Sequence, residues 1–196
     1  MTDYKQLYTG VSRAAWGYFF LYFNINVGTV NLLPAFVGVW LILDGITKLA
    51  DEQRDMKLLL PLGYILLVWH SIDWLLTCFG ASYLLQRPVV TLIFSVIQIY
   101  FHFQLLTDFA ALAAKYQSGE KTICQRLLRW RTVHTLMLTL LSLPILEWAQ
   151  DTDWWEAVAF LLAFIGIIAA VCIMAALFSL RSCLKDEEQP ASPEAE

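Results

Sequence analysis

Two ionisable residues, His70 and Asp73, lie inside a long apolar stretch that covers residues 58–80. Their spacing of three positions places both on one face of a helix, which they share with Gly63 and Thr77. An ionisable group halfway through a bilayer is costly unless it faces protein, so we expect this face to turn into a bundle. A buried histidine beside a carboxylate can exchange a proton near neutral pH, as a proton-coupled transporter, a pH sensor or a ligand site requires.

A second polar strip follows in the stretch 88–116. Its members recur at helical spacing and are Thr91, Ser95, Gln98 and His102. If the two helices pack antiparallel through their polar faces, the two strips meet near the middle of the bundle. The predicted ligand- or proton-binding residues are therefore His70, Asp73, His102 and Gln98.

The same residues have two other interpretations. Asp73 could accept a hydrogen bond from a neighbouring helix and so fix the helix register. Such bonds contribute about 0.6 kcal/mol on average within membranes, so a clamp of this kind aids specificity more than stability. His70, His102 and Asp73 are also acceptable metal ligands. No spacing enforces coordination, and we predict neither a metal nor a cofactor; a functional site and a structural clamp both stay open.

Charged residues form a second layer near the other end of the predicted helices. The members of this inner charged layer are Arg13, Asp44, Lys48, Asp108 and His134. Asp44 and Lys48 are four positions apart and can pair on one helix. Salt bridges at headgroup depth, with long side chains that reach toward water, are one interpretation of this layer. A vestibule for an anion or another substrate is the alternative.

Composition indicates that a membrane bundle positions these residues. Of the 196 residues, 59% are hydrophobic and 15% are charged, and the mean hydropathy is +0.59, whereas soluble domains carry about 25% charged residues. We predict an all-α, polytopic membrane protein with a six-helix transmembrane bundle in one domain, residues 1–184. The predicted helices cover residues 4–23, 32–50, 58–80, 88–116, 121–148 and 154–184. The acidic tail, 185–196, is expected to be disordered.

Basic residues concentrate at alternate ends of the predicted helices, which places both the N-terminus and the C-terminus in the cytoplasm. Trp148, Trp154 and Trp155 then form an aromatic belt at the outer surface. Pro144 predicts a kink in helix 5. Helix 1 leaves an alternative open, because its polar face would also suit a segment that lies along the membrane surface.

Small residues indicate where helices can approach each other closely. Gly38 and Gly45 are seven positions apart on helix 2 and leave a smooth face for a neighbour. A longer stripe on helix 6 predicts contact with a second copy or a membrane partner, and its members are Ala159, Ala163, Gly166 and Ala170.

Other patterns exclude whole classes of function. The net charge of −4 and the lack of a basic run interleaved with aromatic residues argue against nucleic acid as a partner. The sequence carries no HExxH or GxSxG motif, so we predict that the protein is not an enzyme. Its four cysteines lack metal-ligand and redox spacing, and we expect free thiols. The lipid bilayer is the partner that composition predicts.

Two segments carry a family resemblance. FNINVGTVNLLPAFVGVWLIL, together with the later HSIDWL, resembles small multi-pass membrane proteins of Gram-positive, clostridial-type bacteria. Those proteins are uncharacterised, and the resemblance covers mostly the N-terminal half of the chain. It implies a multi-pass protein of the bacterial cytoplasmic membrane and implies no activity.

These observations lead to two functional expectations. The first is a small transporter or ligand-binding membrane protein with a polar His/Asp core between helices 3 and 4. The alternative is a non-catalytic membrane scaffold or accessory subunit that acts through helix–helix contacts, for which the stripe on helix 6 would serve.

Overall fold

The structure, a computed structural model, describes residues 4–23, 26–27, 30–31, 34–81, 87–117, 122–142 and 155–188. Within these residues the protein is all-α, with six α-helices. Their bounds are α1 Tyr4–Tyr22, α2 Ala35–Leu49, α3 Leu60–Cys78, α4 Pro88–Tyr116, α5 Thr122–Ser142 and α6 Trp155–Glu188. A 3₁₀ helix, Arg54–Leu59, leads into α3. Two short strands between α1 and α2, Asn26–Val27 and Val30–Asn31, pair antiparallel.

The helix bounds agree with the sequence prediction to within four residues at every predicted end that the structure describes. α2 begins at Ala35 because Pro34 is extended, with φ −68° and ψ 137°. The predicted end of helix 5 and its kink at Pro144 lie outside the described residues. α6 continues to Glu188, four residues into the predicted tail, and the rest of that tail also lies outside the described residues.

The two ends of α3 have local causes. Pro61 lies in the first turn, where its missing N–H group has no helical partner to lose. At the other end Gly80 adopts φ +68°, a conformation that few residues other than glycine take up easily. The amide of Ala81 then donates to the carbonyl of Leu76 at 2.7 Å, as in a Schellman cap.

α1 and α2 approach each other through two pairs of glycines. A Cβ atom built on Gly17 would lie 2.7 Å from the carbonyl oxygen of Gly38, and one on Gly45 would lie 2.7 Å from that of Gly10. Real Cβ atoms do not come so close, so only glycine fits at these positions. The predicted smooth face of helix 2 is confirmed, and its partner is α1.

α1 lies inside the bundle, between α2 and α6. Val11, Ala14 and Ala15 are fully buried, and Trp16 packs edge-on against Phe178 of α6. The alternative of a first helix lying apart from the others along a membrane surface therefore does not describe this fold. The order of contacting helices is α2, α1, α6, α5 and α4, and α3 packs against α2 and α4.

The core is concentrated at one end of the bundle. We call the end that holds the α2–α3 and α4–α5 connections the inner end, and the opposite end the outer end. The buried residues of α3 are Gly63 and Leu66, both in its inner half. Those of α4 begin at Phe101. The described residues beyond these positions, toward the outer end of α3 and α4, are half-buried or exposed.

Three segments of the described chain are long and apolar enough to cross a membrane: Arg54–Cys78, Pro88–Tyr116 and Glu156–Leu184. The expected membrane association is supported to that extent, but six crossings were predicted and length and composition support three. α2 is too short, with 15 residues, although it is strongly apolar. α1 and α5 include basic residues, among them Arg13 and Arg131, that lower their mean hydropathy.

Candidate functional site

Of the four predicted ligand- or proton-binding residues, His102 is the most deeply buried, with 2% of its surface exposed. α4 presents it to α1, where its Nδ1 atom lies 3.0 Å from the hydroxyl oxygen of Tyr18. The two rings meet at an angle of 60° with centroids 5.4 Å apart. His102 is therefore held by a tyrosine of the first helix rather than by Asp73.

His134 on α5 makes a parallel contact. Its Nε2 atom lies 2.6 Å from the hydroxyl oxygen of Tyr22, one helical turn beyond Tyr18 on α1. The residue is 1% exposed, and its second ring nitrogen, Nδ1, is buried without a hydrogen-bond partner. Burying an unpaired polar atom costs about 1–3 kcal/mol, so this nitrogen has an unused capacity to bind a polar group.

The four side chains form one unit, which we call the Tyr–His cluster: Tyr18, Tyr22, His102 and His134. The two tyrosine rings stack at 6.0 Å, and the two imidazole rings lie 6.1 Å apart at an angle of 88°. Each hydroxyl can donate to or accept from an imidazole nitrogen, because a neutral imidazole offers one donor and one acceptor. Both hydrogen bonds can therefore reverse direction with a change of tautomer.

The remaining predicted residues lie closer to the outer end. His70 and Gln98 are half-buried, and Asp73 is exposed. Asp73 is close enough to His70, and His70 to His102, for their charges to interact. Within the described part of the chain no hydrogen bond joins these side chains to one another. The expectation that Asp73 turns into a closed interior is therefore wrong.

The exposure of Asp73 has a geometric cause. Asp73 is seven positions after Leu66, which is 1% exposed, so two helical turns put both on the same face of α3. The exposed apolar residues Val68 and Leu75 lie on the opposite face. Asp73 thus points in the direction of the bundle, at a level where the described helices do not close over it.

α4 carries a polar strip whose residues become more buried from the outer end of the bundle toward the inner end. Thr91 is exposed, Ser95 and Gln98 are half-buried, and His102 is buried. These residues share one helical face, adjacent to the face of Phe94 and Phe101 that packs on α3. We call this series the α4 polar strip. It leads from the outer end of the bundle to the Tyr–His cluster.

Aromatic pairs flank His70 and Asp73. Trp69 stacks on Phe94 of α4, with ring centroids 3.7 Å apart and an interplanar angle of 13°. Trp74 meets Phe36 of α2 edge-on at 5.5 Å. The polar face of α3 therefore lies between two aromatic contacts, one to α4 and one to α2.

The predicted inner charged layer is only partly assembled. Asp44 accepts from Lys48 at 2.5 Å and lies 3.0 Å from a guanidinium nitrogen of Arg13. Asp108 does not join them: it is 3% exposed, its Oδ1 atom accepts from Gln104 at 3.0 Å, and its Oδ2 atom is buried without a partner. His134 belongs instead to the Tyr–His cluster, because α5 presents it to α1.

Contacts that the sequence did not suggest hold the inner end together. Glu52, in the connection after α2, accepts from Lys115 and, at 2.5 Å, from the hydroxyl of Tyr116. The hydrogen bond from Lys115, followed by that from Tyr116, lowers the pKa of the Glu52 carboxyl below its usual value. Arg181 of α6 donates to the hydroxyl of Tyr8 and lies over its ring.

The described residues contain no group of three or more His, Cys, Asp or Glu side chains arranged to hold a metal ion. The four cysteines are unpaired and half-buried. The only donors that the Tyr–His cluster offers a ligand are imidazole nitrogens and phenol hydroxyls, which suit hydrogen bonding and proton exchange.

Tyr18 and Tyr22 are the site residues that sequence reasoning missed. They are four positions apart, and this spacing indicates from the sequence alone that they share one face of helix 1. The more strongly polar side chains of helix 1, Thr9 and Arg13, indicate a different face, and tyrosine near a helix end is equally typical of a membrane interface.

Comparisons of the chain with family models, curated proteins and solved structures gave no match.

Proposed function

We propose that this chain is a small transporter or ligand-binding protein of the bacterial cytoplasmic membrane, with six crossings and both termini in the cytoplasm. The ligand enters a crevice that opens at the outer end, is lined by His70, Asp73 and the α4 polar strip, and ends at the Tyr–His cluster. The bacterial location follows the resemblance of the N-terminal half and the HSIDWL segment.

Six crossings are favoured by the packing of the three less apolar helices. α1 and α2 contact each other along their lengths, and α1 and α5 each pack against α6, a candidate span. Arg13 has a carboxylate partner in Asp44, which lessens the cost of a cation in a bilayer. Lys48 and Lys115 lie near the inner end, as the positive-inside rule requires if that end is cytoplasmic.

The observation that carries the proposed function is the graded exposure along the α4 polar strip. A polar strip that faced lipid would be costly along its whole length, and one that served only as a clamp would be buried along its whole length. This strip changes from exposed at Thr91 to buried at His102. A water-filled crevice that narrows toward the cluster accounts for that change.

The chemistry at the closed end suits a small polar ligand or a proton. The unpartnered Nδ1 atom of His134 can donate to or accept from such a ligand, depending on the tautomer. His102 and Tyr18 provide a second hydrogen-bonding pair 6.1 Å away, measured between the histidine ring centroids.

Cysteine accessibility tests the crevice. In a variant whose four cysteines are replaced by alanine, we expect Gln98→Cys to react with a water-soluble, membrane-impermeant thiol reagent added to the outer side of vesicles. Val96→Cys, on the exposed apolar face of the same helix, is the matched control and should be unreactive because it faces lipid. Equal protection of both positions would contradict the crevice and leave the clamp interpretation.

A second candidate, an accessory subunit, is favoured by one feature of α6. Ala163 is exposed, so the outer part of the small-residue stripe has room for another helix, whereas its inner part faces α5 at Met137 and ends at the buried Ala170. Ala163→Leu should then reduce oligomer size on native gels, while Ala157→Leu, exposed off the stripe, should not. An unchanged size for Ala163→Leu would count against this function.

A further inference from the structure

We infer that the ligand is a small organic cation of the alkylammonium class, bound with its charged group at Asp73 between the Trp69–Phe94 and Trp74–Phe36 pairs. The inference rests on the proposed function, since it names the ligand of the same crevice. It starts from an exposed carboxylate that faces the bundle side of α3, with His70 close enough for the two charges to interact.

The charge distribution of the outer half favours a cation. The outer-half segments of the described helices, 14–22, 35–43, 67–78, 88–100, 132–142 and 155–168, contain no lysine or arginine; Arg87, which is exposed, lies just before α4. They do contain two carboxylates, those of Asp73 and Glu156. A carboxylate in a partly dehydrated crevice attracts a positive ligand more strongly than it would in water, and it repels an anion.

The aromatic pairs supply the second element of cation recognition. Ammonium groups that carry alkyl substituents bind against aromatic faces, with tryptophan the strongest partner. Trp69 and Trp74 lie on either side of the face that holds His70 and Asp73, one in contact with α4 and the other with α2. The alkyl groups of the cation contact these rings while the carboxylate balances its charge.

The deeper part of the crevice fits an uncharged polar tail. Below Asp73 the α4 polar strip offers the hydroxyl of Ser95 and the amide of Gln98, and the Tyr–His cluster offers neutral hydrogen-bonding groups. Between Asp73 and the Tyr–His cluster, the described residues of α3 and α4 carry no guanidinium or ammonium group to pair with a second, acidic group on the ligand, and Arg131, one turn inward of His134, donates to Thr107. A cation with a hydroxyl-bearing tail therefore satisfies more of the site than an amino acid or a phosphate ester.

Choline and its uncharged carbon isostere, 3,3-dimethylbutan-1-ol, separate charge recognition from shape. We expect choline to raise the melting temperature of the purified full-length protein in nanodiscs and to bind saturably in equilibrium dialysis. The isostere should bind at least ten-fold more weakly, because it lacks the charge. Equal binding of the two compounds would overturn the inference in favour of an apolar crevice.

Variants locate the charge. Asp73→Asn keeps the shape of the side chain and should weaken choline binding at least ten-fold, whereas Asp73→Glu should restore most of it. Trp69→Leu should weaken binding several-fold through loss of the aromatic face. Glu156→Gln removes the other outer carboxylate and should leave binding unchanged; an equal loss in this control would show non-specific attraction and overturn the assignment.

A protection assay covers the case in which Asp73→Asn does not fold. In the otherwise cysteine-free protein, choline should protect Gln98→Cys from the water-soluble thiol reagent, and the isostere should not. A reactive Gln98→Cys that choline neither protects nor stabilises would contradict the organic cation and leave the crevice. An unreactive Gln98→Cys in a protein that does not bind choline would contradict both the ligand class and the proposed function.

Discussion

The two helix pairs at the start of the chain, α1–α2 and α3–α4, are packed in opposite ways. α1 and α2 contact each other through glycines whose backbones nearly touch. α3 and α4 meet through large aromatic rings, as at Trp69 and Phe94, and have no buried described residue in their outer halves. Close packing is thus found in the α1–α2 pair, and the open polar face is found in the α3–α4 pair.

The difference follows from what each pair can do alone in a bilayer. α1 and α2 are too short or too polar to qualify as independent spans, and each needs a neighbour that covers its backbone and its charges. α3 and α4 are apolar enough to span without help. Their polar faces are therefore free to line a crevice, because their stability does not require those faces to be filled with protein.

The glycine contacts and the inner half of α3 carry the largest expected effects on stability. Gly17→Ala places a Cβ atom 2.7 Å from the carbonyl oxygen of Gly38, which forces α1 and α2 apart and should destabilise the protein by about 1–3 kcal/mol, with Gly17→Leu worse still. Gly166→Ala is the matched control: its nearest neighbour is at 3.8 Å, so it should be neutral or stabilising. Thermal unfolding in detergent measures both variants. Similar losses of stability would show that the α1–α2 contact does not require glycine.

On α3 the inner and outer halves should differ, and its inner half is the other site where a large loss of stability is expected. Leu66 is 1% exposed and Leu75 is 49% exposed on the same helix. Leu66→Ala should cost about 2–5 kcal/mol through the cavity it leaves, whereas Leu75→Ala should cost little because it faces lipid in both the folded and the unfolded protein. Comparable losses in denaturant unfolding would contradict the open outer half.

The Tyr–His cluster connects the two pairs, and its loss should have an intermediate effect. Tyr22→Phe removes the hydroxyl that contacts His134 and leaves both ring nitrogens of that buried histidine without a partner, at a cost of about 1–3 kcal/mol. Tyr64→Phe, on the exposed face of α3, should change the free energy of unfolding by a few tenths of a kcal/mol at most. Equal melting temperatures for the two variants would exclude a stabilising hydrogen bond at His134.

The smallest effect is expected at Glu52, which ties the inner end of α4 to the connection after α2. The folded protein lowers the pKa of this carboxyl from 4.5, so the contact stabilises the fold above pH 4.5 and is lost as the pH falls through the lowered value. Glu52→Gln should therefore melt slightly below the unmodified protein at neutral pH and equally with it in acid. A difference that grows toward acid pH would have the wrong sign.

Sequence patterns predicted the helices well because hydrophobic periodicity and the signals for helix ends depend on residues that are close together in the chain. Pro88 begins α4, and the bounds of that helix agree with the prediction at both ends. Gly38 and Gly45 correctly indicated a close neighbour. The identity of that neighbour, α1, could not be predicted, because a seven-residue glycine spacing suits any helix that carries its own small residues at the same interval.

The site was predicted in part. His102 was correctly expected to be buried, since a histidine in an apolar helix is costly in lipid. Its partner depends on which helix packs beside it, and no local pattern indicates whether α1 or α3 comes closer. Asp73 shows the other limit: helical spacing gives the face on which a residue lies, while its exposure depends on whether other helices extend to the same level.

The glycine contact has a consequence for how the chain enters a membrane. Arg13 pairs with Asp44 across the same interface, and Lys48 lies one turn farther along α2. α1 inserted by itself would carry Arg13 into lipid without a partner, whereas beside α2 its guanidinium lies against the Asp44 carboxylate, which also pairs with Lys48. We therefore expect α1 to wait at the translocation machinery until α2 has been synthesised, so that the first half-hundred residues partition into the bilayer together as one hairpin.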